Sequence, residues 1–290
     1  MSILDKIILG TVQFGMNYGI NNSLGKPERM QVFEILDCAF ENGINKLDTA
    51  DAYGDSIDVL GEYNKAKPNR FLINSKFVYS GRPIRDELNF SLKRLHADSL
   101  NTYFYHRFHD FIRYPQLGDD LIKLKSERKI QKIGLSIYSN QEFELGLDSE
   151  FIDVLQIPFN LFDNYSQRGK YLDLAKARGK EIHARSIFLQ GLFLMNKTSV
   201  PVKLHDLGPF LEKIQKLAAN YSITIEELAL NYALSHRQIE YFLIGVDNVN
   251  QLEKDIYYIN NSKDLSDELI KHINTTIRIP AEMLNPGSWV

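Results

Sequence analysis

Eight short apolar runs, each separated from the next by a longer segment, restrict the fold of this sequence more than any other feature. The runs are rich in Ile, Leu, Val, Phe and Tyr, and they have the length of buried parallel strands. We predict strands at residues 6–9, 44–47, 71–73, 102–105, 132–135, 154–157, 181–184 and 241–244.

The segments between the runs carry apolar residues at helical spacing. In residues 28–42, Val32, Ile35 and Leu36 follow a period near 3.6, and Gly43 is a suitable helix stop. We predict further helices at residues 85–95, 117–126, 165–178, 207–219, 225–235 and 249–259, with a short break at 220–223.

Strand–helix alternation implies parallel strands joined by right-handed crossovers, and eight such units make a (β/α)8 barrel. We therefore predict an α/β fold of the TIM-barrel type, with one domain over residues 1–290. The competing architecture is a doubly wound sheet, which normally has a Gly-x-Gly-x-x-Gly turn after its first strand. Residues 10–15 read Gly-Thr-Val-Gln-Phe-Gly and do not match that turn.

Charge and cysteine content exclude several classes of protein. The 34 basic and 37 acidic residues give a net charge of −3, which excludes a nucleic-acid binder that relies on bulk basic charge. A single cysteine, Cys38, excludes an intramolecular disulfide framework, a zinc finger and an iron–sulfur cluster.

The apolar stretches of the chain are too short for a membrane protein. The longest, residues 187–195, is interrupted by Gln190 and falls far short of a membrane span. Asp5 and Lys6 stand where a signal peptide needs apolar residues. We expect a cytoplasmic protein without nucleic-acid or membrane partners, and the sequence does not indicate its oligomeric state.

Four polar residues lie near the ends of successive predicted strands, where barrel enzymes place their chemistry. They are Asp48 and Tyr53 after strand two, Lys76 after strand three, and His106 at the end of strand four. An ammonium beside a phenol favours the phenolate, and a carboxylate would hold that ammonium charged. The set would donate a proton to a developing alkoxide, with His106 orienting the carbonyl, but the hydride requires a nicotinamide. Taken singly, each residue also has an ordinary structural explanation.

Several segments resemble the aldo-keto reductase family. Residues 47–56 read Leu-Asp-Thr-Ala-Asp-Ala-Tyr-Gly-Asp-Ser, residues 91–95 lead to Tyr-Phe-Tyr-His at 103–106, and Ile-Gly-Leu-Ser ends the 129–136 segment. The likeness runs from about residue 9 to 259, and residues 284–289 are similar to a common family tail. It implies a barrel that binds a nicotinamide dinucleotide without a Rossmann motif, with Tyr53 as general acid.

The resemblance also implies a set of cofactor-binding residues. Gly10 and Thr11 match the loop near the nicotinamide, Ser136 and Gln156 match residues that hold the carboxamide, and Arg185 replaces an aromatic residue that stacks on the nicotinamide. The other expected contacts are, toward the pyrophosphate, Ser186, Leu189, Gln190 and Gly191 and, at the adenosine end, Gly245, Asp247, Gln251 and Asp255. NADP is the expected cofactor. NAD is the alternative, because Asp247 would repel the 2′-phosphate.

The substrate is expected to be a small carbonyl compound or a sugar. Cations near the mouth of the barrel, namely Arg107, His109 and Arg185, suggest an anionic one. Apolar walls are expected from Phe14, Tyr53, Tyr79 and Phe162.

Two other functions remain open. The chain could be a regulatory protein that binds nicotinamide with little turnover, because Ile137 stands where the family often has Asn and Arg185 where it has an aromatic. A metal-dependent hydrolase would use Asp48, His106, His109 and His183, but such barrels usually carry a His-x-His pair, which this sequence lacks.

Overall fold

The computed structural model describes residues 2–196, 199–280, 283, 284 and 289. Within them, eight parallel strands form one closed barrel in chain order, and the last strand pairs with the first. The strands are β1 (Ile7–Gly10), β2 (Lys46–Asp48), β3 (Leu72–Phe77), β4 (Leu100–Tyr105), β5 (Ile130–Ser136), β6 (Val154–Pro158), β7 (Glu181–Arg185) and β8 (Tyr241–Gly245). The predicted single-domain (β/α)8 barrel is confirmed.

Twelve α-helices lie in the described part of the chain. They are α1 (Val12–Gly15), α2 (Arg29–Glu41), α3 (Ser56–Ala66), α4 (Ile84–Leu95), α5 (Phe108–Arg113), α6 (Leu117–Ser126), α7 (Asn140–Asp148), α8 (Tyr165–Ala177), α9 (Gly208–Asn220), α10 (Ile225–Leu234), α11 (Val249–Asn260) and α12 (Asp267–Thr276). The break predicted inside the long connection before β8 is confirmed by the gap between α9 and α10.

The third strand ends four residues later than predicted. β3 runs on to Phe77, so Lys76 lies within the strand and not after it. Asn74 and Ser75 made the sequence look like the end of an apolar run, yet both are fully buried inside the barrel wall. Likewise β2 includes Asp48 as its last residue.

Helix α7 is not among the predicted helices, although Ser139 and Glu142 form a capping box at its first turn. The Ser139 hydroxyl accepts a hydrogen bond from the backbone of Glu142, and the Glu142 side chain binds back to the Ser139 backbone. This capping box satisfies two otherwise free N–H groups. The helix is only nine residues long, too short for its periodicity to stand out.

Phe104 fills the interior of the barrel below the strand ends. It pairs in register with Gly134, and a Cβ on Gly134 would lie 2.2 Å from the Phe104 ring. Only glycine therefore leaves room for this ring. Beneath it, His183 Nε2 lies 2.7 Å from a Glu181 carboxylate that also binds Lys132, which forms a second polar layer.

Two further points complete the fold. None of the helices that the structure describes is both long enough and apolar enough to cross a membrane. Of the tail that resembles the family, residues 285–288 lie outside the described residues.

Candidate active site

A cavity of about 510 Å³ opens at the carboxyl ends of the strands. Its lining includes all four residues predicted to carry the chemistry, namely Asp48, Tyr53, Lys76 and His106. Twelve of the thirteen residues expected at the cofactor also line it: Gly10, Thr11, Ser136, Gln156, Arg185, Ser186, Gln190, Gly191, Gly245, Asp247, Gln251 and Asp255. The exception is Leu189, which is 1% exposed and packs in the core, so any contact with the cofactor would have to come from its backbone.

Lys76 links the Asp48 carboxylate to the Tyr53 phenol. Its Nζ forms a salt bridge with Asp48 Oδ1 and donates to the Tyr53 hydroxyl at 3.3 Å. Lys76 is 1% exposed and Asp48 is 2% exposed, so both charges are removed from water. Burial disfavours the ammonium, but Asp48 and Tyr53 outweigh it, and the pKa of Lys76 lies above its usual value. The lysine therefore stays charged at neutral pH.

The loop that carries Tyr53 is fixed by a close approach of two backbone segments. A Cβ on Gly15 would lie 1.8 Å from the Tyr53 carbonyl oxygen, and one on Gly54 would lie 2.1 Å from the Gly15 carbonyl oxygen. Gly54 also has φ of +56°, a conformation that favours glycine. Two glycines thus hold the loop after β2 against α1 and place the phenol at the cavity wall.

The electrostatics of Tyr53 differ from the expectation. Burial raises the pKa of Tyr53, and the Lys76 ammonium lowers it by less, so the net pKa lies above its usual value. The Lys76 ammonium acts in the direction expected from the sequence, but burial outweighs it, so the phenol is not made more acidic overall. Tyr53 is consequently protonated at neutral pH, which is the form that donates.

His106 stands beside the phenol as a neutral imidazole. Its ring meets the Tyr53 ring edge to face, with 5.6 Å between centroids. Burial, followed by the charges of Lys76 and Arg185, lowers the pKa of His106 to about 3. Among the described residues, nothing hydrogen-bonds to its buried Nδ1.

Gln156 has a contact that the sequence did not indicate. Its Nε2 donates to Asp48 Oδ2 at 2.8 Å, so it binds the carboxylate oxygen that Lys76 leaves free. Ile137, which lacks the amide group common in the family, points its side chain into the core. Its backbone N–H donates to the Gln156 carbonyl oxygen at 3.0 Å.

Among the residues that the structure describes, Arg185 is the cation at the reacting end of the cavity that forms no ion pair with a carboxylate. Its guanidinium lies over the Tyr138 ring, 4.2 Å from the centroid, and its Nη2 donates to the Ile137 carbonyl at 3.2 Å. The other two cations expected near the mouth, Arg107 and His109, are exposed and do not line the cavity. Of the three cations expected near the mouth, Arg185 is therefore the one that lines the cavity, and a contact of the other two with substrate stays a prediction.

The loop after β7 holds an unusual backbone. Ser186, Leu189 and Gln190 have φ of 62°, 48° and 56°, and Gly191 has 85°. Side chains other than glycine adopt this left-handed region at a cost, so the surrounding contacts must enforce it. One of these contacts is Gln190 Nε2, which donates to the Tyr18 hydroxyl at 3.1 Å.

The far end of the cavity is acidic. Asp247 accepts a hydrogen bond from Asn22 Nδ2 at 3.1 Å, which joins the segment after α1 to the loop after β8. Lys254 also lines this end but is paired with Glu226 at 2.7 Å. Asp255 is 8% exposed, and burial, offset in part by Lys254, raises its pKa to about 7.

Sequence reasoning missed several lining residues. Tyr18 and Asn22 lie in a segment without periodicity between α1 and α2, and Tyr138 follows β5 by two residues. Nothing in their spacing indicated a site. The apolar walls expected from Phe14, Tyr79 and Phe162 are not part of the cavity lining, and only Tyr53 of that expected set is.

The residues considered as metal ligands do not lie close together. Asp48 is bonded to Lys76 and Gln156, and His183 lies a layer lower, next to Glu181. Over the described ranges, no three His, Cys, Asp or Glu side chains are grouped so that they could hold a metal ion.

Comparison with known proteins agrees with this geometry. The family model described as the aldo/keto reductase family matches residues 6–278. The L-galactose dehydrogenase of Arabidopsis thaliana is 26% identical over 250 residues, covering 78% of this chain and 77% of that protein. The NADH-specific methylglyoxal reductase of Escherichia coli is 24% identical, covering 93% and 94%.

The same fold occurs in solved structures. An aldo-keto reductase from Klebsiella pneumoniae, crystallised in complex with NADPH, superposes with a TM-score of 0.69 at 19% identity, covering 95% of this chain and 92% of that one. Together with the match over residues 6–278, the fold and the curated relatives show that this chain is an oxidoreductase of the aldo/keto reductase family.

Proposed function

We propose that the protein reduces the carbonyl group of an aldehyde, ketone or sugar-type substrate, with hydride from a nicotinamide dinucleotide and a proton from Tyr53. One observation carries the proposal: the Lys76 ammonium bridges Asp48 and the Tyr53 hydroxyl at the wall of a cavity. The activities for which the two relatives are named, those of a sugar dehydrogenase and a methylglyoxal reductase, support this substrate range.

The residues of the cavity fit a dinucleotide. Bare backbone at Gly10 leaves room along one wall, and the missing side chain of Gly245 makes space for the Gln13 amide, since a Cβ there would lie 2.6 Å from Gln13 Nε2. The buried Gln13 Oε1 lacks a hydrogen-bond partner among the residues described. Ser136 and Gln156 would hold the carboxamide, and the loop after β7 would face the pyrophosphate. When bound, the cofactor would supply hydride to the carbonyl carbon.

The protein's own groups would handle the proton. A substrate oxygen in hydrogen-bond reach of Tyr53 and His106 receives the phenolic proton as charge develops on it. The Lys76 ammonium stabilises the phenolate left behind, and Asp48 keeps that ammonium charged and in place. His106 acts as a neutral hydrogen-bonding group, because its pKa is about 3.

The acidic far end favours NADH over NADPH. Asp247 and Asp255 line it, while Lys254 is occupied by Glu226, so a 2′-phosphate would meet negative charge. The resemblance led us to expect NADP with NAD as the alternative. We now propose the alternative, NAD, as the preferred cofactor.

Tyr53→Phe tests the proposal. We expect fluorescence titration to show binding of NADH, weaker binding of NADPH, and nearly unchanged affinities in the variant, since the removed hydroxyl is assigned to the substrate. Reduction of methylglyoxal or a similar carbonyl compound should be lost in the variant. An unchanged rate would show that Tyr53 is not the proton donor. Dinucleotide binding without turnover of any carbonyl compound by the wild type would support the regulatory alternative instead.

A further inference from the structure

The reacting end of the cavity has an unbalanced positive charge. Asp48 and Lys76 neutralise each other, and His106 is uncharged because its pKa is about 3. Arg185 therefore sets the net charge at this end. The charge of Arg185 acts on the reacting groups. It helps to lower the pKa of His106, and it offsets part of the increase that burial causes in the pKa of Tyr53.

Arg185 also has unused hydrogen-bonding capacity. A guanidinium carries five N–H donors. Within the described ranges two of them have partners: one is directed to the Ile137 carbonyl at 3.2 Å and one, weakly, to the Ser186 hydroxyl at 3.5 Å. The remaining donors are on a residue that lines the cavity. An arginine with free N–H donors is suited to bind a carboxylate or a phosphate, because two of its donors can contact the oxyanion at once.

Neighbouring side chains hold the Arg185 guanidinium in position. Its face rests on the Tyr138 ring, 4.2 Å from the centroid. The backbone of Tyr138 is fixed in turn by Arg168, which donates to the Tyr138 carbonyl and forms a two-pronged ion pair with Asp163 at 2.7 Å. Arg168 and Asp163 are both buried. The cation is therefore pre-organised, which reduces the entropy lost when it binds an anion.

We propose that Arg185 selects carbonyl substrates that carry a carboxylate or a phosphate group. The inference rests on the proposed carbonyl reduction and adds the class of substrate to it. The substrate's oxyanion would contact the Arg185 guanidinium while its carbonyl oxygen faces Tyr53 and His106. The bond changes are those of the proposed reaction, because Arg185 only binds and orients.

Two pairs of substrates, matched except for charge, test the proposal. D-Glucuronate and D-glucose differ by a carboxylate, and glyceraldehyde 3-phosphate and glyceraldehyde differ by a phosphate. For each pair, kcat/KM is measured with wild type, Arg185→Met and Arg185→Lys. We expect wild type to prefer the anionic member of at least one pair, which identifies the oxyanion. Arg185→Met should lower that preference roughly tenfold to a hundredfold, the range for a charge-assisted hydrogen bond. Arg185→Lys keeps the positive charge but loses the paired N–H donors of the guanidinium, so it should retain part of the preference for the anionic substrate.

The matched control is Arg107→Gln, which removes an exposed positive charge near the opening without altering the cavity lining. It should leave the ratio between charged and neutral substrates within about twofold of wild type, as expected for a screened surface charge. An equal loss of preference in Arg107→Gln and Arg185→Met would assign the effect to general electrostatic attraction and overturn the proposal. So would a wild type without preference in either pair, or an Arg185→Met variant with the wild-type ratio.

Binding measurements separate this inference from the proposed function. Calorimetric titration of D-glucuronate and D-glucose into the protein saturated with NAD⁺ requires no turnover. Binding of D-glucuronate that depends on Arg185, in a protein that reduces no carbonyl compound, would leave the anion site standing while the proposed reaction fails. A changed ratio of NADH to NAD⁺ affinity in Arg185→Met, with unchanged substrate preference, would instead assign the charge to the cofactor and overturn the proposal.

Discussion

Replacing Lys76 with methionine would show how much the buried ammonium contributes to proton donation. The variant keeps most of the side-chain volume and removes the charge that lies 3.3 Å from the Tyr53 hydroxyl. When Tyr53 gives up its proton, the phenolate would face an apolar side chain instead of an ammonium. We therefore expect carbonyl reduction to slow while dinucleotide affinity changes little.

The distance sets the size of the effect. Two unit charges 3.3 Å apart interact by about 5 kcal/mol at an effective dielectric constant of ~20. The neighbouring Asp48 opposes part of this attraction, and a single charge-assisted hydrogen bond contributes about 1.5–3 kcal/mol. An intermediate value of about 2–4 kcal/mol corresponds to a rate lower by roughly 30- to 900-fold.

The same substitution should destabilise the fold, because it leaves the Asp48 carboxylate buried without its cation. Breaking a buried pair on one side costs about 3–5 kcal/mol, equivalent to a fall in Tm of roughly 5–8 °C for a chain of this size. The double variant Asp48→Asn/Lys76→Met removes both charges, and Gln156 can still hydrogen-bond to the new amide. It should recover most of the stability but none of the rate.

Single-turnover reduction of methylglyoxal, followed by the loss of NADH absorbance, measures the chemical step, and calorimetry measures Tm. A double variant that regained both stability and rate would show that Lys76 acts only through folding. A Lys76→Met variant with a wild-type rate would refute the assignment of the ammonium to the phenolate.

Two further predictions concern pH. Because the pKa of His106 is about 3, the maximal reduction rate should be flat between pH 5 and 8, and a decline near pH 6.5 that disappears in His106→Gln would contradict the assigned neutral imidazole. Because the pKa of Asp255 is about 7, its carboxyl is neutral below that pH and anionic above it. NADPH should thus gain affinity relative to NADH as the pH falls from 8 to 6. Asp255→Asn should weaken that trend and leave only the titration of the 2′-phosphate, and an identical slope in both proteins would place Asp255 away from the phosphate.

The sequence predicted the barrel because buried parallel strands are nearly continuous apolar runs, and each of the eight left such a run. It failed where polar residues belong to the barrel interior. Asn74 and Ser75 ended the predicted third strand early, since a single sequence cannot distinguish a buried asparagine in a strand from one in a loop. Short helices such as α7 were missed because nine residues give too few periods, even with a capping box present.

The candidate site was predictable where residues follow strands directly and unpredictable where tertiary contacts bring them in. Tyr53 and Lys76 could be proposed from strand ends and from the chemistry that a phenol and an ammonium share. Asn22 reaches Asp247 across more than two hundred positions of chain, and no local pattern indicates such a contact. The pKa of Tyr53 was misjudged because the sequence shows the lysine but not the depth of burial.

The ring that Gly134 admits into the barrel separates two polar layers that would otherwise communicate. Above Phe104 lies the Lys76 ammonium, 6.0 Å from the ring centroid, and below it lie His183 and Glu181. Any side chain larger than glycine at position 134 would have to displace this ring, so a residue outside the cavity lining controls the packing beneath the Lys76 ammonium.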